Sequence, residues 1–163
     1  MISDEKLLNL YRLNNITRYN NKTKLKEESV AAHSYYVALF SLMFADEMRL
    51  TDKEKLDLIC RALLHDLCEI ELNDITHDTK EKLKLDNYLE KFEKEYYEKH
   101  FPKYAKLMFE HNKISKIMKL ADALSVKQFV LNEYALGNKS EQMTEIMYEI
   151  TNRIKMLEGE INE

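Results

Sequence analysis

The sequence predicts an all-α protein, and three observations carry that expectation. Only two glycines, Gly137 and Gly159, and one proline, Pro102, punctuate 163 residues, far too few breakers for the turns of a sheet protein. Leu, Lys, Glu and Met, all good helix formers, are abundant. Nowhere is an apolar–polar alternation of period two sustained, whereas apolar residues recur at helical spacing. At this length one domain over residues 1–163 is expected, large enough to bury about two-thirds of its unfolded surface.

The elements follow in order. Asp4 to Leu13 reads as a first helix capped by Ser3, with Leu7, Leu8, Leu10, Tyr11 and Leu13 as its apolar side. From Asn14 to Glu28 the periodicity gives way to a polar loop carrying Arg18 and Tyr19; a loop this long in a small domain is functional or disordered. Helix two, about Val30 to Met48, follows Ser29 as its cap and has apolar Val30, Val37, Leu39, Phe40, Leu42, Met43 and Phe44, with His33 one turn inside. Thr51 or Asp52 caps helix three. Its apolar Leu56, Ile59, Cys60, Leu63, Leu64 and Leu67 extend it through Glu69, and it frays at Asn73-Asp74, leaving Glu71, Asp74, Thr76 and His77 in a loop.

Helix four, about Lys80 to His100, sets Leu85, Tyr88, Leu89, Phe92 and Tyr96 against a solvated Lys/Glu face. Pro102 suits the first turn of a short helix with Tyr104, Leu107 and Met108. Helix six, about Ile114 to Leu136, stops at Gly137. A last helix, residues 140–157, aligns Met143, Ile146, Met147, Ile150, Ile154 and Leu157 in a stripe expected to be core or a self-association face.

Composition excludes several classes of function. A net charge of −4 and no long basic stripe argue against stable nucleic-acid binding. No apolar run approaches the roughly 20 residues of a membrane span. Cys60 and Cys68, about 12 Å apart along one helix, cannot pair. With no recognisable leader, a reducing cytoplasmic setting is expected.

The chemistry concentrates in Arg61 to Glu69, where an apolar helix carries His65, Asp66 and Glu69 in its last turns. A buried carboxylate costs several kcal/mol unless something pairs with it. A divalent metal answers that need with imidazole and carboxylate as ligands. Asp122, amid Met118, Leu120, Ala121, Ala123 and Leu124, is a second acid placed for burial. Helices packed side by side bring His33, His65, Asp66 and Asp122 to one point, a donor set suited to Mn, Co, Fe, Zn or Mg.

In this order His33, His65-Asp66 and Asp122 resemble the H…HD…D signature of the HD-domain metal-dependent phosphohydrolases. Ser-Val-Ala-Ala-His-Ser (Ser29 to Ser34), His-Asp-Leu-Cys-Glu (His65 to Glu69), Asp74 and Ala-Asp-Ala-Leu (Ala121 to Leu124) are similar to the YfbR-like 5′-deoxynucleotidase branch. An Arg-aromatic pair is expected there too, here Arg18-Tyr19. The likeness runs from about Leu7 to Leu136. Two positions depart from it: Ala32 stands where the branch usually has Glu, and Tyr19 where it usually has Trp.

The resemblance implies a single-domain HD-type helical bundle with a metal site between core helices. His33, His65, Asp66 and Asp122 would ligate the metal. Glu69 and Asp74 would orient or deprotonate the attacking water and assist the leaving oxygen. Arg18 would grip the phosphate through its fork of donors, and Tyr19 would face the sugar or base. The implied reaction is hydrolysis of nucleoside 5′-monophosphates, deoxynucleotides preferred, to nucleoside and phosphate. The alternative, a deoxynucleoside triphosphate hydrolase releasing triphosphate, needs more cations, for which Lys24, Lys26, His77, Lys80 and Lys82 are candidates. A catalytically silent nucleotide-binding module is the remaining reading. Family similarity also implies a homodimer or higher homo-oligomer.

Overall fold

The computed structural model describes residues 3–162. Among them are nine α-helices and one 3-10 turn: α1 Asp4–Tyr11, the 3-10 turn Arg12–Asn15, α2 Val30–Glu47, α3 Asp52–Leu64, α4 Glu69–Leu72, α5 His77–Leu83, α6 Asp86–His100, α7 Pro102–Phe109, α8 Lys113–Ala135 and α9 Glu141–Asn162. The described residues form no strand beyond one isolated bridge, Thr17 to Ser29. The all-α expectation holds.

Helix starts follow local chemistry. Ser3 and Ser29 cap α1 and α2 by accepting the N–H groups of Lys6 and Ala32. Thr51 and Glu54 form a reciprocal capping box on α3, and Asn112 and Ser115 form another on α8. Gly137 follows α8 at φ +96°, a conformation that other residues adopt only with strain.

Two packing centres position the site. In the first, Val37 and Ala45 of α2, Leu58 and Ala62 of α3, and Ile117 and Ala121 of α8 meet with no exposed surface. Each fully buried large aliphatic side chain contributes about 1.5–3 kcal/mol. α9 then lies along α8, with Ile150, Ile154 and Leu157 against Leu120 and Ala123. In the second centre Leu67 and Cys68 of the turn after α3, with Ile70 of α4, pack on Leu13, Ile16, Tyr96 and Tyr97. No helix among the described residues is long and apolar enough to cross a membrane, and both cysteines are free.

Several boundaries differ from the sequence reading. α3 does not run through Glu69; it ends at Leu64. The Tyr97 hydroxyl donates to the carbonyl oxygens of Leu64 and His65, which a continuing helix would need for its own bonds. The chain then tightens into three-residue turns, with Leu67 N–H on Leu64 O and Ile70 N–H on Leu67 O. The expected apolar face of α3 is also rotated: Leu56 is 62% and Leu63 48% exposed, while Leu58, Arg61 and Ala62 are buried.

The expected helix four is two helices, because Lys84 turns left-handed at φ 52°. α1 stops at Tyr11, and its Leu7, Leu8 and Tyr11 are exposed. Leu39, Leu42 and Met43 of α2 are likewise exposed, and small Ser34, Ser41 and Ala45 face inward instead. α9 extends to Asn162, past the expected end at Leu157.

Candidate metal and nucleotide site

Four elements meet at one cluster. α2 supplies His33, the C-terminus of α3 His65, the following turn Asp66, and α8 Asp122. His33 Nε2 lies 3.2 Å from Asp122 Oδ1 and 3.7 Å from Asp66 Oδ2. His65 Nε2 lies 3.1 Å from Asp66 Oδ2 and 3.4 Å from His33 Nε2. Ligands held about 2.0–2.1 Å from one tetrahedral centre stand about 3.4 Å apart, so these spacings fit a shared cation. Of these four, His33, His65 and Asp66 have donor atoms all mutually close; Asp122 joins through its contact with His33.

The far side of each imidazole prepares it for this role. His33 Nδ1 lies 3.0 Å from Ser125 Oγ, and His65 Nδ1 lies 2.7 Å from the Ala62 carbonyl. A proton on each Nδ1 leaves both Nε2 lone pairs pointing into the cluster. Burial, reinforced by the Arg18 charge, lowers His33 to about 4 and keeps it neutral. Burial opposes charge on His65 as well, but Asp66 and Asp122 carry it up to about 9. Without a cation, His65 therefore binds a proton beside Asp66. Although burial opposes their charge, the imidazoles hold Asp66 and Asp122 well below the usual carboxylate range. Two imidazole nitrogens and the Asp66 carboxylate within reach of one another, with ionised Asp122 beside His33, fit a divalent metal.

Beside the cluster, Glu69 opens α4 and is buried, and its Oε2 has no hydrogen-bond partner. Burial together with Asp66 and Asp74 pushes its proton affinity well above that of an ordinary carboxylate. A cavity of about 700 Å³ opens above, lined by Arg18, Tyr19, Asp66, Glu69, Asp74 and Asp122 among others. His77 and Lys80, at the start of α5, also line it.

Arg18 and Tyr19 come from the polar loop, which is an ordered arm. Its ends are tied by Arg18 N–H to Glu28 O and Val30 N–H to Ile16 O, both 2.9 Å. Its middle hangs on Glu133 of α8, fully buried, whose carboxylate accepts the N–H groups of Leu25 (2.8 Å) and Lys26 (2.9 Å) and the Asn138 amide (2.7 Å). Next to Arg18, Tyr19 is left-handed at φ 55°. Its N–H donates to Asp74 Oδ2 at 3.0 Å, and its ring stacks on Phe129 with centroids 4.6 Å apart. The Arg18 guanidinium pairs with Glu28 at 3.1 Å. Burial opposes its charge, but the carboxylates of Asp66, Glu28 and Asp122 hold it protonated.

The predicted residues Arg18, Tyr19, Glu69, Asp74, His77 and Lys80 thus share the cavity with Asp66 and Asp122, above His33 and His65. Of the other expected cations, Lys24 is turned onto the Arg18 carbonyl and Glu27, and neither it nor Lys26 nor Lys82 lines the cavity. Sequence reading missed Glu28, Ser125, Glu133 and Arg153. Glu133 carried a usable signal, an acid three and four residues after Val130 and Phe129 on an apolar helix, the pattern that singled out Asp122. The other three had none, since their partners lie 10, 92 and 31 residues away.

Comparison with known proteins agrees with this geometry. A family model described as 5′-deoxynucleotidase YfbR-like matches residues 7–162. The PH0347 protein of Pyrococcus horikoshii OT3 is 28% identical with a TM-score of 0.79, over 94% of this chain and 89% of that one. An HD-domain phosphohydrolase from Listeria innocua is 25% identical with a TM-score of 0.78, over 95% and 81%. The HD phosphohydrolase DatZ of cyanophage S-2L, solved bound to dA and one catalytic Zn2+ ion, shares the fold at 16% identity and a TM-score of 0.76, over 96% and 84%. No curated protein sequence matches this chain. With a cluster fit for a divalent cation and a family match along nearly its whole length, the chain is a metal-dependent phosphohydrolase that belongs to the YfbR-like 5′-deoxynucleotidase family.

Proposed function

We propose that the protein, acting as one HD domain over residues 1–163, hydrolyses nucleoside 5′-monophosphates to nucleoside and inorganic phosphate, with deoxynucleotides preferred. His33, His65, Asp66 and Asp122 would hold the metal. When bound, a divalent cation acidifies a coordinated water and shields phosphate charge. Glu69 Oε2, buried and unpartnered, would take a proton from the attacking water once the charge of a bound cation offsets the burial and neighbouring acids that raise its proton affinity. Asp74, holding the Tyr19 backbone, keeps the arm against the cluster. Arg18, oriented by Glu28, would bind the phosphate oxygens, and Tyr19 would border the sugar. His77 and Lys80 would line the outer approach.

One observation favours one phosphate over three: the cations of the cavity are largely spent on its own carboxylates. Lys22 pairs with Asp78 and Arg153 with Asp122, which leaves Arg18, oriented by Glu28, and Lys80, without an ion pair among the described residues, to face a phosphate. A triphosphate would bring more negative charge than this wall neutralises. This reading includes a cytoplasmic setting and a homodimer or larger assembly. The stripe of α9, expected to be core or a self-association face, is core, packed on α8, so assembly would use another surface, with light scattering as its test.

The deciding experiment incubates nucleoside mono- and triphosphates with Mn2+, Co2+ or Mg2+ and resolves every product by chromatography. Nucleoside plus phosphate from monophosphates, abolished in His65→Ala, is the expected result. Triphosphate release from deoxynucleoside triphosphates, or no turnover by the metal-loaded protein, would overturn it.

A further inference from the structure

Asp122 divides its carboxylate between two partners. Oδ1 lies 3.2 Å from His33 Nε2, inside the cluster. Oδ2 lies 3.3 Å from Nη2 of Arg153, a residue of α9, beyond the stretch of sequence that carries the HD motifs. Ile146, Glu149, Ile150 and Arg153 fall at helical spacing i, i+3, i+4 and i+7, and together they form the α9 wall of the cavity. Ile150 and Ile154 anchor that wall on α8, so the Arg153 stem starts from a fixed point.

An aspartate in a metal cluster presents a useful lone pair only in the right rotamer, and what grips its second oxygen sets that rotamer. We infer that Arg153 is a positioning residue of the metal centre: its guanidinium holds Oδ2 so that Oδ1 stays turned toward His33, and α9 thereby completes a site whose ligands all come from other elements. This rests on Asp122 being a ligand. Charge and positioning act with opposite signs here. As a nearby cation, Arg153 repels a metal ion, so its removal would tighten binding if charge alone mattered. As the clamp on Asp122, its removal weakens binding.

The test measures Mn2+ affinity of the full metal-stripped chain by titration calorimetry for wild type, Arg153→Ala, Arg153→Lys and Asp122→Ala, with thermal melts confirming that each is folded. The expected result is a loss of about 10-fold in Arg153→Ala, the low end for groups that orient ligands, because the Arg153 side chain is 48% exposed. Arg153→Lys, which keeps a donor and a charge, recovers most of that loss. Arg153→Ala also lowers kcat for the preferred nucleotide and leaves KM in place. Unchanged or tighter Mn2+ binding in Arg153→Ala, with Asp122→Ala still losing the metal, overturns the inference and spares the ligand assignment. Wild-type affinity in Asp122→Ala removes the ligand assignment itself. A raised KM at unchanged Mn2+ affinity makes Arg153 a substrate contact and also overturns it.

Discussion

The floor of the cavity and the arm above it are built by different physics. The floor sets His33, His65 and Asp122 on helices whose neighbouring turns bury Val37, Ala62 and Ala121 with no exposed surface. There, apolar packing fixes the backbone and the polar groups are carried along. The arm, Ile16 to Glu28, has apolar anchors in Ile16 and the Tyr19 ring and is otherwise held by polar contacts. Glu133 takes two of its N–H groups, Asp74 a third, and the Asn138 amide donates to the Thr23 carbonyl. A packed floor tolerates the loss of one hydrogen bond. An arm held by separate polar contacts loses part of its support with each one removed.

That contrast can be broken at several points. The largest effect is expected in the floor: Asp66→Ala or His65→Ala should lower phosphohydrolase activity by about 1,000-fold or more, the several kcal/mol of stabilisation that a metal supplies, with metal content measured by emission spectroscopy falling in parallel. In the arm, Arg18→Ala should reduce kcat/KM by about 10- to 100-fold, the scale of a charge-assisted hydrogen bond, and leave Mn2+ affinity unchanged in calorimetry.

Glu133→Ala tests whether the arm really hangs from α8. It strands two N–H donors and leaves the Asn138 amide only its Thr23 acceptor, so stability should fall by about 2 kcal/mol and KM should rise, although Glu133 touches no substrate. Chemical denaturation and steady-state kinetics read the two effects. An unaltered KM would mean that the arm holds itself.

The floor also has a pH signature. His65 is raised from 6.5 to about 9, against the cost of burial, mainly by Asp66. Its protonated form is therefore favoured in the folded state. The stability this confers is fully present below pH 6.5 and lost as pH rises through 9. Melting of chelator-treated protein should show this alkaline fall, and saturating Mn2+ should flatten it by taking the proton's place. The smallest effect belongs to Tyr19→Phe. Its hydroxyl is buried without a partner, so stability should change by less than about 1 kcal/mol, while the stack on Phe129 survives. A loss of discrimination between deoxynucleotides and ribonucleotides in this variant would make that hydroxyl a sugar contact.

Much of the floor was legible in the sequence because it obeys local rules. Helix caps at Ser29 and Thr51, the stop at Gly137, and acids dropped into apolar runs at Asp66 and Asp122 are readable without a partner in view. Faces were less legible. Leu56 and Leu63 of α3 are exposed although Leu58 and Ala62 are buried, since residue type alone cannot say which side of an apolar helix meets its neighbours. The end of α3 at Leu64 was hidden too, because the Tyr97 hydroxyl that captures its last carbonyls arrives from 33 residues away.

By itself the sequence determined the helical class and the starts of α1, α2 and α3 at their caps, and it pointed to His33, His65, Asp66 and Asp122 as residues whose chemistry suits a divalent cation. These follow from backbone propensity and from the cost of burying an unpaired charge, both properties of short segments. Only tertiary structure decided that the polar arm is ordered, that Glu28 orients Arg18, that Glu133 carries the arm, and that Arg153 of α9 reaches Asp122. Each joins residues 10 to 108 positions apart, and such contacts are chosen by the packing of whole helices.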